Sequence, residues 1–466
     1  MEILSVIASL YVLPLLFLVF HVCKSAVEKR RHQTCYMLDY ECYKPPAERK
    51  LDAMTAGRIM GRTRNLGLEE LRFLLKAASR SGMSEETYGP KSVMEGSEGR
   101  PCLADAYAEV DEMVFSTVDG LFAKTGIPPS EIDILVTTIS LLSPAPSWTA
   151  RILNRYKMRE DVKVYNISGM GCSGSVSGID LVQQLMKSNS NCNAIVVSTE
   201  VMGQNWYGGK EKSMLLSNIL FRAGACSMLF TNKPTLRNRT ILKLKCLHRT
   251  HIGEDDEAYR CCFEKEDESG FRGFHLSKKL TTFAADALTK NLKVLLPKVL
   301  HTREMVRYEL VSRWNRFRGL VGRSKEGNSK PEVVRVNLKS GIDHFCIHPG
   351  GRAVIDTVGK RLWLDSYDVE PAKMTLFRFG NTSSAGLWYV LAYMEAKKRL
   401  KKGDVILMIS LGAGFKCNNS VWEVMRDLGR PSVWEDCIND YPPTHLENTF
   451  IEKLGHLIDN LESCGA

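Results

Sequence analysis

Residues 165–198 read YNISGMGCSGSVSGIDLVQQLMKSNSNCNAIVVS, and this stretch decides the fold. It opens with a short β-rich run, passes through a glycine-rich turn around Cys172, continues as a helical pattern to Met186 and closes with an apolar run over residues 194–198. A further β-rich run, IDILVTTI, precedes it over residues 132–139. This order of strands and helix predicts an α/β unit built on βαβ connections.

A distant part of the chain repeats this order of elements. Its predicted elements are an apolar run (342–347, IDHFCI), a short strand (377–379), a turn (Gly380 and Asn381), a helix (382 to about 398) and a closing strand (405–410, VILMIS). Cys172 lies 40 residues after Ile132, and Asn381 lies 39 residues after Ile342. The repeat predicts two duplicated halves whose equivalent turns carry Cys172 and Asn381 into one cleft. Chance similarity of two α/β segments is the alternative.

The composition agrees with a large folded protein of two packed halves. A chain of 466 residues with 44% hydrophobic and 25% charged residues is not a disordered, collagen-like or low-complexity protein. Its 14 cysteines show no CxxC spacing, which disfavours a disulfide scaffold or a zinc module and favours reduced thiols facing the cytosol. A formal charge of +10 suits anionic partners such as phosphate esters or a membrane surface, without selecting among them.

The N-terminus predicts a membrane anchor over residues 1–25. Residues 3–23 read ILSVIASLYVLPLLFLVFHVC, and about 20 apolar residues at about 1.5 Å per helical residue match a hydrocarbon layer of about 30 Å. A cleaved signal peptide and a buried core helix are the alternatives. The basic residues that follow predict that the body of the protein lies in the cytosol: Lys24, Lys29, Arg30 and Arg31.

The rest of the chain divides into five predicted regions. These are an N-terminal connecting region (26–100) with a helix-tending stretch (51–82), a first half (101–237) opening with a helix (104–123), an inserted region (238–340) ending in an exposed basic loop (313–339), a second half (341–440), and a helical C-terminal tail (441–466). A membrane-facing patch is the alternative interpretation of the basic loop.

Cys172 is the candidate nucleophile. It lies on a glycine-rich turn just before a helix, so its sulfur is expected near the positive end of the helix dipole, which favours the attacking thiolate. A buried structural cysteine is the alternative.

Two histidines bracket the strand at residues 344–347. The i,i+4 spacing of His344 and His348 would suit a metal site on a helix, but Pro349 and the glycines after it predict a strand followed by a turn, so we predict no metal site. His348 is the better candidate for a cleft residue, while His344 is equally well explained as a strand residue with its own partner. Asn381 alone reads as a helix N-cap.

Six motifs together carry a resemblance to a known family. The sequence from about residue 36 to 437 resembles the plant-type 3-ketoacyl-CoA synthases, the condensing enzymes of microsomal fatty-acid elongation. The motifs are GMGCS (169–173), NWY (205–207), RTHIGEDD (249–256), HFCIHPGGRAVID (344–356), RFGNTSS (378–384) and LGAGFKCN (411–418). The resemblance implies a thiolase-like, duplicated five-layer αβαβα core carried by the N-terminal transmembrane helix, and a catalytic Cys172, His348 and Asn381.

The implied reaction is decarboxylative condensation of malonyl-CoA with a long-chain acyl-CoA, which gives a 3-oxoacyl-CoA for very-long-chain fatty acid, wax or suberin lipids. Cys172 would carry the acyl group, and His348 with Asn381 would hold the enolate left by decarboxylation. No metal or cofactor is required, since the CoA thioesters are substrates. Backbone N–H groups of Cys172 and of the Gly412 to Gly414 loop are candidate oxyanion donors, although that loop is otherwise a plain strand-end turn.

Two further histidines remain secondary catalytic candidates. His251 matches a family position of interest in a loop with Asp255 and Asp256, and His344 belongs to the quoted histidine motif. The NWY motif either shapes an acyl channel or packs, and packing is favoured. The family often has histidine where this chain has Phe377, and many members have two N-terminal spans where one is visible here.

The resemblance also implies partners and a location. It implies a homodimer at the endoplasmic reticulum membrane with elongase reductases and a dehydratase as partners, and no nucleic acid. Three rival interpretations remain: a thiolase, which would need a second cysteine in the glycine loop; a ketoacyl or polyketide synthase using another acyl-CoA, which would need no anchor; and a silent membrane-tethered partner of active synthases, which Phe377 leaves open.

Overall fold

A computed structural model describes residues 17–21, 35–63, 65–99, 102–321, 335–446 and 448–455. The predicted anchor over residues 1–25 lies outside these ranges except for a short helical piece at 17–21. Within the described ranges, none of the helices has the length and apolarity required to cross a bilayer. None of the cysteines in these ranges forms a disulfide.

Eleven strands form in the described part of the chain, nine of them in one sheet. They are β1 (Tyr36–Cys42), β2 (Ile134–Thr138), β3 (Lys163–Ile167), β4 (Asn193–Thr199), β5 (Ala225–Thr231), β6 (Leu242–His251), β7 (Cys262–Glu266), β8 (Arg272–Leu276), β9 (His344–Ile347), β10 (Val405–Gly412) and β11 (Lys416–Val424). The sheet order is β3-β2-β4-β5-β1-β6-β11-β10-β9, and β7 with β8 forms a separate hairpin.

The helices follow the predicted alternation with strands. They are α1 (Ala53–Arg62), α2 (Leu68–Arg80), α3 (Lys91–Met94), α4 (Leu103–Thr125), α5 (Trp148–Tyr156), α6 (Gly174–Ser188), α7 (Lys212–Leu220), α8 (Asp256–Arg260), α9 (Leu280–Leu295), α10 (Thr302–Val321), α11 (Arg352–Leu362), α12 (Ser366–Phe379) and α13 (Gly386–Ala396). The polar stretch at residues 51–82 thus contains two helices, and the long helix predicted from residue 104 is α4.

The pairing pattern of the sheet is duplicated. In one half β2 pairs parallel with β4, β4 antiparallel with β5, and β5 antiparallel with β1. In the other, β9 pairs parallel with β10, β10 antiparallel with β11, and β11 antiparallel with β6. The halves meet where β1 pairs antiparallel with β6. The strand β3 extends only the first half among the described residues.

The two central helices lie between the half-sheets. Helix α6 contacts β2 and β4 of its own half and also β11, while α13 contacts β9 and β10 of its half and also β1. Helices α4 and α5 cover the outer face of the first half, and α9 covers β6 and β11. Both faces of β2 and β4 are therefore buried, which explains their continuous apolar runs.

The two turns are equivalent and bring Cys172 and Asn381 together, as predicted, but their residue registers differ. A 3₁₀ turn at Gly171–Ser173 leads into α6, and one at Ser383–Ala385 leads into α13. The residue equivalent to Cys172 is therefore Ser384, and Asn381 lies three residues earlier. The matching offsets counted from the strands did not show this difference, because the connection before the second turn is longer.

Two predicted elements are wrong. Residues 377–379 are the last turn of α12, whose start is fixed by a capping box between Asp365 and Asp368; three residues are too few to show a strand period. The first part of the predicted basic loop, residues 313–321, belongs to α10, because arginine is a good helix former.

Two predicted boundaries differ from the sheet. The strand β1 lies inside the predicted connecting region (26–100), and β6 lies inside the predicted inserted region (238–340), yet both complete the half-sheets. Strand β6 alternates polar and apolar residues and lacks the continuous apolar run that marked the other strands. In the predicted tail, residues 450–455 are helical, and Phe450 and Leu454 pack against Ala53 and Leu75.

Candidate active site

Three separate elements carry Cys172, His348 and Asn381. Cys172 lies in the 3₁₀ turn before α6, His348 directly follows β9, and Asn381 follows α12 after one glycine. The His348 N–H donates to the Ile409 carbonyl of β10 at 2.9 Å, which continues the parallel ladder. The Asn381 N–H donates to the Leu220 carbonyl at 3.1 Å. Backbone hydrogen bonds thus hold His348 and Asn381 in place, and the Ser410 hydroxyl donates to the Cys172 carbonyl at 3.1 Å.

The Asn381 side chain connects the other two residues. Its Oδ1 lies 4.0 Å from the Cys172 Sγ and accepts the Ser383 N–H at 2.9 Å. Its Nδ2 donates to the Gly350 carbonyl at 3.3 Å, two residues beyond His348. These hydrogen bonds fix the orientation of the Asn381 amide. Its oxygen faces the Cys172 sulfur, and its nitrogen faces the turn at residues 348–350.

The His348 imidazole is buried without a partner. Only 2% of the residue is exposed, and neither Nδ1 nor Nε2 has a hydrogen-bond partner among the described residues. Burial lowers the pKa of His348 to about 3, so the ring is neutral at physiological pH. An unmade hydrogen bond at a buried polar group costs about 1–3 kcal/mol, so the two unpartnered ring nitrogens leave His348 available to a ligand.

The Cys172 thiol has a high pKa in the unliganded protein. Burial raises it to about 11, with the charge of Glu200 adding to the effect, while hydrogen bonding with Ser383 and Asn381 acts against it. The prediction that the helix start favours the thiolate is therefore wrong for this state. Desolvation of the sulfur outweighs the partial charge at the start of α6.

Glu200 supports the turn at Gly171–Ser173 that carries Cys172, which we call the nucleophile turn. Glu200 was not identified from the sequence. It is 4% exposed at the end of β4, and its Oε1 accepts the N–H groups of Leu141 at 2.8 Å and Ser140 at 3.1 Å. The Ser140 Oγ in turn accepts the Gly171 N–H at 2.9 Å, next to Cys172. Burial raises the pKa of Glu200 to about 7. The sequence feature that could have identified Glu200 is an acidic residue directly after a fully buried strand.

The glycine loop packs directly on the nucleophile turn. A Cβ at Gly412 would lie 2.3 Å from the Ser173 Oγ, and a Cβ at Gly171 would lie 3.0 Å from the Ala413 nitrogen. Gly414 has a φ of +99°, a conformation that favours glycine. The close approach explains the glycines at 171 and 412, while oxyanion donation by Gly412 and Gly414 stays a prediction.

The structure places the two secondary candidates at strand ends, His344 at the start of β9 and His251 at the end of β6. His344 lies at the end of β9 opposite His348, and its Nε2 is 2.9 Å from the Asp404 Oδ2, so it has the structural partner that the strand interpretation expected. His251 is exposed at the end of β6, in register with Lys416. Burial, followed by the charges of Lys416 and Arg249, lowers the pKa of His251.

Phe377, where the family often has histidine, is a packing residue. Phe377 is 9% exposed in α12 and contacts the Tyr441 ring edge-on, with centroids 6.2 Å apart. Within the described ranges, no group of three potential metal ligands comes together.

The resting thiol can be tested by its alkylation rate. We expect the rate of Cys172 modification by iodoacetamide to rise about tenfold per pH unit between about pH 7 and 9, because the thiolate fraction rises tenfold per unit below the pKa. Glu200→Gln removes a charge that raises this pKa, so it should accelerate alkylation a few-fold, more at pH 8 than at pH 6, where Glu200 is already protonated.

Glu109→Gln is the matched control for Glu200→Gln. Glu109 is equally buried, its pKa is also raised to about 7, and it also accepts backbone N–H groups, from Met202 and Gly203. Unlike that of Glu200, its carboxylate binds the segment at 202–203 and not Ser140, whose Oγ accepts the Gly171 N–H. A rate that is flat above pH 7, or equal acceleration by both variants, would contradict the assignment.

Two family models match most of the chain. The family described as FAE1/Type III polyketide synthase-like protein matches residues 27–314, and the 3-oxoacyl-[acyl-carrier-protein (ACP)] synthase III C-terminal family matches residues 337–424. Among curated proteins, 3-ketoacyl-CoA synthase 19 of Arabidopsis thaliana is 53% identical, with 99% of each chain covered. Arabidopsis thaliana 3-ketoacyl-CoA synthase 12 is 48% identical over 95% of this chain and 94% of that protein.

Solved structures support the fold. The structure of CsyB complexed with CoA-SH superposes with a TM-score of 0.65 at 15% identity, covering 84% of this chain and 100% of the other. The 1,3,6,8-tetrahydroxynaphthalene synthase of Streptomyces coelicolor A3(2), a bacterial type III polyketide synthase, gives a TM-score of 0.61 at 15% identity, covering 84% and 99%. The chain therefore has the thiolase-like mixed α/β fold of these synthases.

Proposed function

The chain belongs to the plant-type 3-ketoacyl-CoA synthases, and on that premise we propose that Cys172, His348 and Asn381 condense malonyl-CoA with a long-chain acyl-CoA. The enzyme is an acyl-CoA condensing acyltransferase of very-long-chain fatty acid elongation. Its product is a 3-oxoacyl-CoA longer than the acyl substrate by two carbons. The observation that carries the residue assignment is the partnerless buried His348 imidazole beside an Asn381 amide that contacts Cys172.

The first step transfers the acyl group to Cys172. A bond forms between the Cys172 sulfur and the acyl carbon, the bond from that carbon to the CoA sulfur breaks, and the thiol proton ends on the departing CoA. Burial raises the pKa of the Cys172 thiol to about 11, so the thiol is protonated at rest and gives up its proton as the acyl group is transferred. The resulting thioester is buried in the turn that the Glu200 and Ser140 network supports.

The second step forms the carbon nucleophile. Malonyl-CoA loses carbon dioxide, and the electron pair of the broken bond becomes an enolate whose negative charge lies on the thioester oxygen. A neutral His348 N–H and the Asn381 Nδ2 group are donors suited to that oxygen. The enolate carbon then attacks the acyl carbon on Cys172, and the sulfur leaves as the new carbon–carbon bond forms. A buried site strengthens these donor interactions because the local dielectric is low.

The direct test is product formation by the full chain. Microsomes that contain the protein are incubated with labelled malonyl-CoA and a long-chain acyl-CoA, and labelled 3-oxoacyl-CoA is measured. We expect product from the wild-type protein and none above background from Cys172→Ala. Equal product from both would favour the silent-partner interpretation, which the intact Cys172, His348 and Asn381 disfavour.

We propose in addition that residues 1–25 anchor the enzyme in the endoplasmic reticulum membrane with its body in the cytosol. The apolar run at 3–23 and the basic residues after it support this arrangement. Protease added to sealed microsomes is expected to digest residues 35–455 without detergent, and protection of that body would contradict the topology. A homodimer is inferred from the family. Association with elongase reductases and a dehydratase is inferred as well, because the product keeps a keto group that these enzymes would remove.

A further inference from the structure

A buried lysine lies at the base of the glycine loop (residues 412–414), and the mechanism above does not use it. Lys416 is the first residue of β11 and pairs with Gly412, the last residue of β10. Only 4% of Lys416 is exposed, and its Nζ donates to the Ala413 carbonyl. A Cβ at Gly414 would lie 3.1 Å from the same Nζ. The lysine side chain therefore folds back over the loop that its own residue closes.

The loop that Lys416 holds is packed between two other segments. On one side, a Cβ at Gly171 would lie only 3.0 Å from the Ala413 nitrogen, so the Ala413 backbone touches the nucleophile turn. On the other side, the Ile252 N–H donates to the Phe415 carbonyl at 2.9 Å. A displaced loop would therefore disturb the turn that carries the nucleophile.

Burial makes this lysine costly to the fold. An ammonium taken out of water loses strong hydration and brings three N–H donors that need acceptors. Burial, followed by the charge of Arg249, lowers the pKa of Lys416, so the surroundings disfavour the ammonium relative to water. A methionine at this end of the hairpin would pack without that cost. The fold alone therefore does not require a cation at this position.

The proposed steps place negative charge on two different oxygens. Acyl transfer and carbon–carbon bond formation both put charge on the oxygen of the acyl carbon at Cys172. Decarboxylation puts it on the malonyl thioester oxygen, beside His348 and Asn381. Backbone N–H groups of Cys172 and of the glycine loop are the predicted donors to the first oxygen. The position of the loop therefore affects acyl transfer and bond formation but not decarboxylation.

We propose that Lys416 is a positioning residue, which holds the glycine loop against the nucleophile turn so that the loop N–H groups face the acyl group on Cys172. The inference rests on the proposed condensing activity and adds a residue that acts through the loop. The ammonium binds the carbonyl of Ala413, and the nitrogen of the same residue approaches Gly171. A misplacement of about 1 Å in such a site slows a reaction by about 100-fold.

Lys416→Met should separate the partial reactions. We expect acyl transfer to Cys172 and the kcat of condensation to fall about 10- to 100-fold, while the KM for acyl-CoA stays within about threefold. Release of labelled carbon dioxide from malonyl-CoA, measured without acyl-CoA, should stay within about twofold of the wild-type rate. The midpoint of denaturant unfolding should be unchanged or higher, because methionine fills the site without a buried charge.

Lys397→Met is the matched control. The Lys397 Nζ also donates to backbone carbonyls of a loop, that of Ile438 at 3.0 Å and that of Tyr441. Lys397 lies just after α13 and is only partly buried, so its ammonium is less costly to the fold. We expect a lower unfolding midpoint in this variant, with acyl transfer and decarboxylation near the wild-type rates.

The outcomes separate a positioning role from a structural one. Acyl transfer at the wild-type rate in Lys416→Met, or an equal fall of acyl transfer and decarboxylation, overturns the inference. A lower unfolding midpoint with losses in every reaction shows a structural lysine and also overturns it. A wild-type protein that forms no 3-oxoacyl-CoA overturns the proposed function instead. If Lys416→Met does not fold, Lys416→Gln replaces it with the same expected rates, because its shorter side chain carries no charge.

Discussion

Cys172→Ala is expected to lower 3-oxoacyl-CoA formation by about ten-thousand-fold, because it removes the atom that carries the acyl group between the two substrates. Without a covalent carrier, the enolate would have to meet an acyl-CoA in the same site, which the two-step arrangement avoids. The His348 and Asn381 donors remain in this variant, so slow release of labelled carbon dioxide from malonyl-CoA should persist. The measurement compares labelled 3-oxoacyl-CoA with labelled carbon dioxide, both formed from malonyl-CoA in the same incubation.

Cys262→Ala is the matched control for the nucleophile. Cys262 is also buried, and burial, followed by the charge of Cys172, raises its pKa well above the ordinary value. Removing Cys262 should leave condensation close to wild type. If Cys262→Ala abolished product while Cys172→Ala retained it, the acyl carrier would be assigned to the wrong thiol.

The strands that carry the site were predictable because they are buried on both faces. Continuous apolar runs around residues 134–138 and 193–199 leave little ambiguity, and the turn that holds Cys172 is marked by its glycines. The strand β6 was not found because only one of its faces is buried, and it follows the polar 3₁₀ turn Pro234–Arg239 without a strong boundary signal.

The electrostatics of the site were less predictable than its residue types. A helix start near Cys172 is visible in the sequence, but the burial that raises the thiol pKa depends on packing by segments far along the chain. The Glu200 network is likewise invisible locally, since it needs the strand that ends at 199 to meet the loop at 140 and 141. Residue types set which chemistry is available, whereas tertiary packing sets the protonation state at rest.

His348→Leu is expected to reduce decarboxylation of malonyl-CoA by about 100- to 1,000-fold, the usual effect of removing one donor to a developing oxyanion. The same variant should be as stable as the wild type, or more stable by about 1 kcal/mol, because the imidazole makes no hydrogen bond with the described protein and leucine is similar in size. Transfer of labelled acyl groups to Cys172 should fall less than decarboxylation. Denaturant unfolding and the two partial reactions supply the three measurements.

His344→Leu, at the other end of the same strand, is expected to lower stability and to leave condensation unchanged, which is the opposite of His348→Leu. Its ring is bonded to Asp404, so its loss should lower the free energy of unfolding by about 1 kcal/mol while condensation stays near wild type. A histidine that stabilises the fold and one that serves the reaction are thus separated by which quantity changes. Parallel losses of stability and activity in His348→Leu would show that its ring has a structural partner, and would remove the strongest argument for its role at the enolate.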